Sequence, residues 1–127
     1  MSDTREVLQL ARDLLSRADP ATAGLWPRAA ALLVRQALEE SVDGYWTERQ
    51  LPLGSLPTQA QLVCLRMMAP GDTLPAQLHE AWGALSRACH HHPYELAPTV
   101  GELATWIEVV ETFAARPAGE AEADDRA

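Results

Sequence analysis

Trp26-Pro27-Arg28-Ala29-Ala30-Ala31-Leu32-Leu33-Val34-Arg35-Gln36-Ala37-Leu38-Glu39-Glu40-Ser41-Val42-Asp43-Gly44-Tyr45-Trp46 is the stretch on which the fold turns. Its proline stands where a first helical turn tolerates a missing N–H. Behind it Ala30, Leu33, Val34, Ala37, Leu38, Val42, Tyr45 and Trp46 recur at intervals of three and four, one unbroken apolar stripe on a helix that starts at Trp26 or as early as Ala21. A helix this long needs partners for that stripe, and the rest of the chain supplies them.

Upstream, Asp3 and Glu6 stand at capping-box spacing, and Val7, Leu8, Ala11, Leu14, Leu15 and Ala18 repeat helically as far as Asp19-Pro20. Downstream, Leu51-Pro52-Leu53-Gly54-Ser55-Leu56-Pro57 cannot continue a helix and reads as a loop. Thr58 and Gln61 then read as a capping box for a short helix through Leu62, Leu65 and Met68, ended by Pro70-Gly71-Asp72. A fourth helix starts between Thr73 and Pro75 and places Leu78, Trp82, Leu85, Cys89 and His92 on one seam until Pro93 stops it. Thr99 and Glu102 cap a fifth, with Leu103, Trp106, Ile107, Val110 and Phe113 on one face and Arg116-Pro117 at its end.

No segment alternates with a period of two, so no sheet is expected. The expectation is an all-α chain: an antiparallel helical bundle of about four principal helices plus an N-terminal accessory helix, over residues 1–116. Leu33, Leu38, Leu78, Trp82, Leu85, Trp106 and Val110 are the expected core, and Glu111 an expected solvated position. Residues 117–127 are small, acidic and aperiodic, which predicts a disordered tail.

A chain of 127 residues fits one domain that buries about two-thirds of its unfolded surface. Cys64 and Cys89 fall on faces read as buried, and with no apolar leader before them the expected setting is a reducing cytoplasm. Charges or prolines interrupt every apolar run, so no membrane span is expected. The ten basic residues are all Arg against eighteen Asp and Glu, a formal net charge of −8 that repels a polyanion on average. Contact with nucleic acid must therefore be local.

The candidate for such a contact is Arg87-Ala88-Cys89-His90-His91-His92-Pro93-Tyr94, which reads R-x4-H-x-Y. Arg87 is a permanent cation able to grip a phosphate with a fork of donors, and His92 can give or take a proton near neutral pH. These are the tools of a metal-free ribonuclease. The string resembles the motif of the HEPN superfamily, in the version found in HEPN toxins paired with minimal nucleotidyltransferase antitoxins. Ala30 to Glu39, a small-apolar stretch ending in Gln-Ala-apolar-Glu, is similar to that family's first conserved helix, and the likeness spans roughly residues 25–115. One departure is Ala88, where the family often has a polar residue after the arginine.

The resemblance implies a homodimer with the two motifs lining a cleft between subunits, and an RNA substrate cut without metal or other cofactor. It implies catalytic roles for Arg87, His92 and Tyr94, and a nucleotidyltransferase-type antitoxin that modifies the tyrosine. Geometry adds a constraint of its own. Five residues along a straight α-helix turn a side chain by about 140°, so Arg87 and His92 converge only if the helix unwinds before Pro93 or a symmetric dimer shares the site.

Plainer readings stand beside these. Arg87 as a solvated helix residue, His92 as a C-terminal cap and Tyr94 as a packing anchor also satisfy the sequence, as does a non-catalytic HEPN module or a structural helical adaptor. Successive helical residues point about 100° apart, so His90, His91 and His92 do not make a zinc set, and His79 is too far along the chain to complete one. The four tryptophans read as core or dimer-interface residues, and Arg35 with Glu39 as an i, i+4 ion pair.

Overall fold

A computed structural model describes residues 4–16, 26–90 and 96–116, and within them the chain is all-helical. The elements in order are α1 (Thr4–Ser16), α2 (Trp26–Glu48), α3 (Thr58–Met68), α4 (Leu74–Cys89) and α5 (Val100–Ala114). They form a bundle in which α2 is the shared partner. It packs most closely on α1, then on α4 and α5, and lightly on α3, which leans mainly on α4.

Small residues make this central position workable. Ala30, Ala31 and Ala37 of α2 are fully buried beside Val34, Leu38, Val42 and Trp46, so neighbouring helices approach the α2 backbone closely. The N-terminal helix joins the same core through Val7, Leu8 and Ala11. A two-pronged contact of Arg12 with Glu111, at 3.2 and 2.5 Å, fastens α1 to α5. Glu111 is therefore an ion-pair partner and not the plain solvated residue expected.

The expected core holds for Leu38, Leu78, Leu85 and Val110. Leu33, Trp82 and Trp106 are half-buried at its margin instead, as are both cysteines, because each stands at the edge of its helix's apolar arc. Of the four tryptophans only Trp46 is fully buried, and Met68 of α3 is exposed.

Helix ends show which local signals survive packing. Thr99 and Glu102 form the capping box expected of them. Thr58 and Gln61 do not: Pro57 occupies the cap position with no side-chain bond. The Gln61 amide is committed elsewhere. It is the one buried polar side chain among the described residues, it accepts from Trp46 Nε1 at 3.1 Å, and it donates to the carbonyls of Gly54 and Leu56 at 3.3 and 2.7 Å. One amide thus closes the connection that follows α2. That connection begins with Leu51 N–H bonded to Trp46 O and Gln50 N–H to Thr47 O, a Schellman arrangement that puts Gln50 at φ 58° where glycine is usual. Past α3, Asp72 binds the guanidinium of Arg116 with both carboxylate oxygens and accepts from Leu74 N–H at 3.0 Å, joining the start of α4 to the end of α5.

No helix among the described residues is long and apolar enough to cross a membrane. Residues 117–127, expected as a disordered tail, lie outside the described residues.

Candidate functional site

Of the motif residues, Arg87 is described, while His92 and Tyr94 lie outside the described residues. Arg87 occupies the last turn of α4, exposed, where a cation suits the negative end of the helix dipole. Its carbonyl accepts from His90 N–H at 3.2 Å. His90 is the cap and is already extended, at φ −94° and ψ 138°. The helix therefore ends at Cys89, short of the His92 end expected for its seam, and His92 itself lies outside the described residues. Histidine is a modest helix former, and Pro93 offers no N–H to extend the ladder. Helix α4 thus finishes before Pro93, which is one of the two conditions under which Arg87 and His92 can converge.

The Arg87 side chain lies back along α4. A Cβ added to Gly83 would stand 3.7 Å from Arg87 Nη1, so the guanidinium rests over the glycine one turn earlier. There it borders a shallow groove of ≈ 440 Å³ between α3 and α4, which Gln59, Arg66, His79, Glu80 and Trp82 also line. His79, Gly83 and Arg87 follow one another at four-residue steps and so share a face. Arg66 reaches across from α3, its Nη1 3.3 Å from His79 Nδ1. Arg donates in that contact, which makes Nδ1 the acceptor and places the His79 proton on Nε2.

Two arginines that no carboxylate holds, Arg66 and Arg87, share this groove, whereas Arg28 and Arg49, also without a carboxylate ion pair among the described residues, stand elsewhere on the surface. Ion pairs hold Arg12, Arg35 and Arg116 to Glu111, Glu39 and Asp72. Arg66 and Arg87 have no carboxylate partner among the described residues. On an acidic chain, two such guanidiniums along one groove make a local positive spot of the kind the charge argument requires, with Glu80 as the acidic residue on its rim.

Behind the groove the expected Arg35 to Glu39 ion pair is present at 3.3 Å, and it belongs to a larger arrangement. Glu39 Oε2 also accepts from Trp82 Nε1 at 3.0 Å and from Thr58 Oγ1 at 3.5 Å, while the Arg35 guanidinium lies 5.9 Å from the Trp82 ring centre. One carboxylate oxygen thereby connects α2, α3 and α4, and it orients the indole that walls the groove next to Arg87. Sequence reading missed Arg66, His79 and Trp82 as members of the site. The available signal was the His79, Gly83, Arg87 spacing, whereas the approach of Arg66 depends on how α3 packs on α4.

Among the described residues, no three His, Cys, Asp or Glu side chains gather as a metal-holding set. A second recess of ≈ 450 Å³ opens between α1, α2 and α5, where Arg5, Arg49 and Arg116 alternate with Glu40, Glu48 and Glu111, so it favours no single sign of ligand. No family model, curated protein or solved structure matches the chain. The HEPN likeness accordingly rests on the motif at residues 87–94 and on the helix from Ala30 to Glu39.

Proposed function

We propose that the chain is a metal-independent endoribonuclease of HEPN toxin type, acting as a homodimer with Arg87, His92 and Tyr94 in a cleft shared by the two copies. The observation that carries the reading is Arg87: exposed at the end of α4, without a carboxylate partner among the described residues, and bordering a groove with a second guanidinium, Arg66. In the proposed reaction the RNA 2′-oxygen attacks the adjacent phosphorus and the bond to the 5′-oxygen breaks, leaving a 2′,3′-cyclic phosphate and a 5′-hydroxyl. One imidazole takes the proton of the attacking hydroxyl and another protonates the leaving oxygen, roles that two copies of His92 fill in a dimer. Arg87 counters the charge that builds on the phosphorane, and Tyr94 orients the phosphate. Nucleotidylation of Tyr94 by an antitoxin of nucleotidyltransferase type would then inhibit by adding bulk and negative charge in the shared cleft.

The test is incubation of wild type, Arg87→Ala and His92→Ala with RNA in chelator between pH 6 and 8. Wild type is expected to yield cyclic-phosphate ends, His92→Ala to turn over about 10²–10⁴ times more slowly, and Arg87→Ala to lose both affinity and rate. No cleavage by wild type, or equal cleavage by all three, rejects the nuclease. It would favour a non-catalytic module that binds nucleotide, RNA or protein, for which the net charge of −8 and the apolar Ala88 after the arginine are the supporting observations.

A further inference from the structure

We infer that the α3–α4 groove is a second RNA-phosphate subsite, outside the R-x4-H-x-Y motif, in which Arg66 grips a backbone phosphate next to the one held by Arg87. The inference rests on the proposed RNA substrate and extends it from the reacting phosphate to its neighbour. Three features on this surface converge. Arg66 is exposed on α3 and has no carboxylate partner among the described residues, so the donors that His79 does not engage remain available to a ligand. Its Nη1 contact with His79 Nδ1 steadies the guanidinium without neutralising it. His79 in turn keeps Nε2–H as a further donor.

The third feature is the row along α4. His79 and Gly83 are one turn apart, about 6 Å along the helix axis, and the Arg87 guanidinium folds back over Gly83. The Arg66 head is placed at His79 and the Arg87 head over Gly83, so the two guanidiniums stand along one row on α4. With no side chain of its own, Gly83 lets the Arg87 guanidinium lie against α4, so a phosphate entering here meets that guanidinium. Trp82, held by Glu39, forms a rigid wall with its indole N–H already engaged. A groove with two guanidiniums along one face, a single carboxylate, Glu80, on its rim and an ordered aromatic wall suits a single strand's backbone, which runs past without base-specific contacts.

Binding is measured apart from cleavage by fluorescence anisotropy with a short 2′-O-methyl RNA, which lacks the attacking hydroxyl and stays intact. Arg66→Ala is expected to weaken binding on the order of tenfold and to reduce the slope of log affinity against log salt by about 0.7, the value for one phosphate contact on a single strand. Arg66→Lys should restore the slope while recovering only part of the affinity, because an ammonium lacks the fork. Unchanged affinity and slope in Arg66→Ala would overturn the subsite, as would wild-type protein that does not bind the RNA at all. The two readings fail separately: loss of binding in Arg66→Ala with no wild-type cleavage of natural RNA would keep the subsite and reject the nuclease, and cleavage with Arg66 dispensable for binding would do the reverse.

Discussion

Trp82 Nε1 donates to Glu39 Oε2 at 3.0 Å across 43 positions of the chain, and this bond connects the helix that decides the fold to the wall of the candidate site. The same oxygen accepts from Arg35 and Thr58, so its removal touches three helices together. Glu39→Ala should cost about 1–2 kcal/mol in denaturant unfolding, and Trp82→Phe, which keeps most of the ring and loses the donor, about 1. Combined, the two substitutions should be less harmful than their sum by about 0.5–1.5 kcal/mol, and strict additivity would show that the bond contributes nothing.

Gln61 offers a sharper case, since its amide is buried and answers both an indole N–H and two loop carbonyls. Gln61→Leu keeps volume but strands those groups, and a loss of about 2–4 kcal/mol is expected in urea unfolding. Gln61→Glu should be nearly as harmful at neutral pH, because the carboxylate still accepts from Trp46 yet can donate to neither carbonyl. A midpoint unmoved by Gln61→Leu would mean that water replaces the amide without loss.

Gln50 sits in left-handed backbone at φ 58°, a conformation that costs a side-chain-bearing residue roughly 1 kcal/mol and glycine almost nothing. Gln50→Gly should therefore raise stability by about 0.5–1 kcal/mol in spite of glycine's larger unfolded-state entropy, and thermal melting measures it directly. Gln50→Val, branched at Cβ, should do the opposite.

Asp72 gives the fold an acid-sensitive joint. Its hydrogen bonds from Arg116, helped by Leu74 N–H and the nearby positive charge and opposed by partial burial, hold the carboxyl below its usual pKa. A carboxyl so lowered contributes stability that is complete above its ordinary value of about 3.9 and fades as pH falls through the lower folded-state value. Wild type should lose about 1 kcal/mol from this source below about pH 4. Asp72→Asn should be less stable than wild type at pH 7 and show a shallower decline in acid. Parallel pH profiles for the two proteins would exclude the joint.

The sequence disclosed what periodicity and local chemistry can carry. The stripe from Ala30 to Trp46, the Thr99 and Glu102 box and the i, i+4 pair of Arg35 and Glu39 each depend on neighbours within one helix, and all are present. The failures share a different cause. Gln61 has the right spacing to serve Thr58, but a tertiary partner, the Trp46 indole, competes for its amide and wins. Trp82 and Trp106 are apolar enough for the core, yet each stands at the edge of its helix's apolar face and remains half-buried. In the site, the motif directed attention to Arg87, whereas Arg66 enters the groove only through the packing of α3 against α4, which no local pattern encodes.

That packing also sets a hierarchy of opening. Helix α3 leans on α4 and only lightly on α2, and Gln61 is its principal polar fastening to the end of α2. Amide hydrogens of α3 should then exchange with solvent through a local detachment well below the free energy that unlocks α1, α2 and α5. Because Arg66 travels with α3, any anion bridging it to Arg87 would slow that exchange, and the amides from Thr58 to Met68 become a built-in reporter of occupancy in the groove.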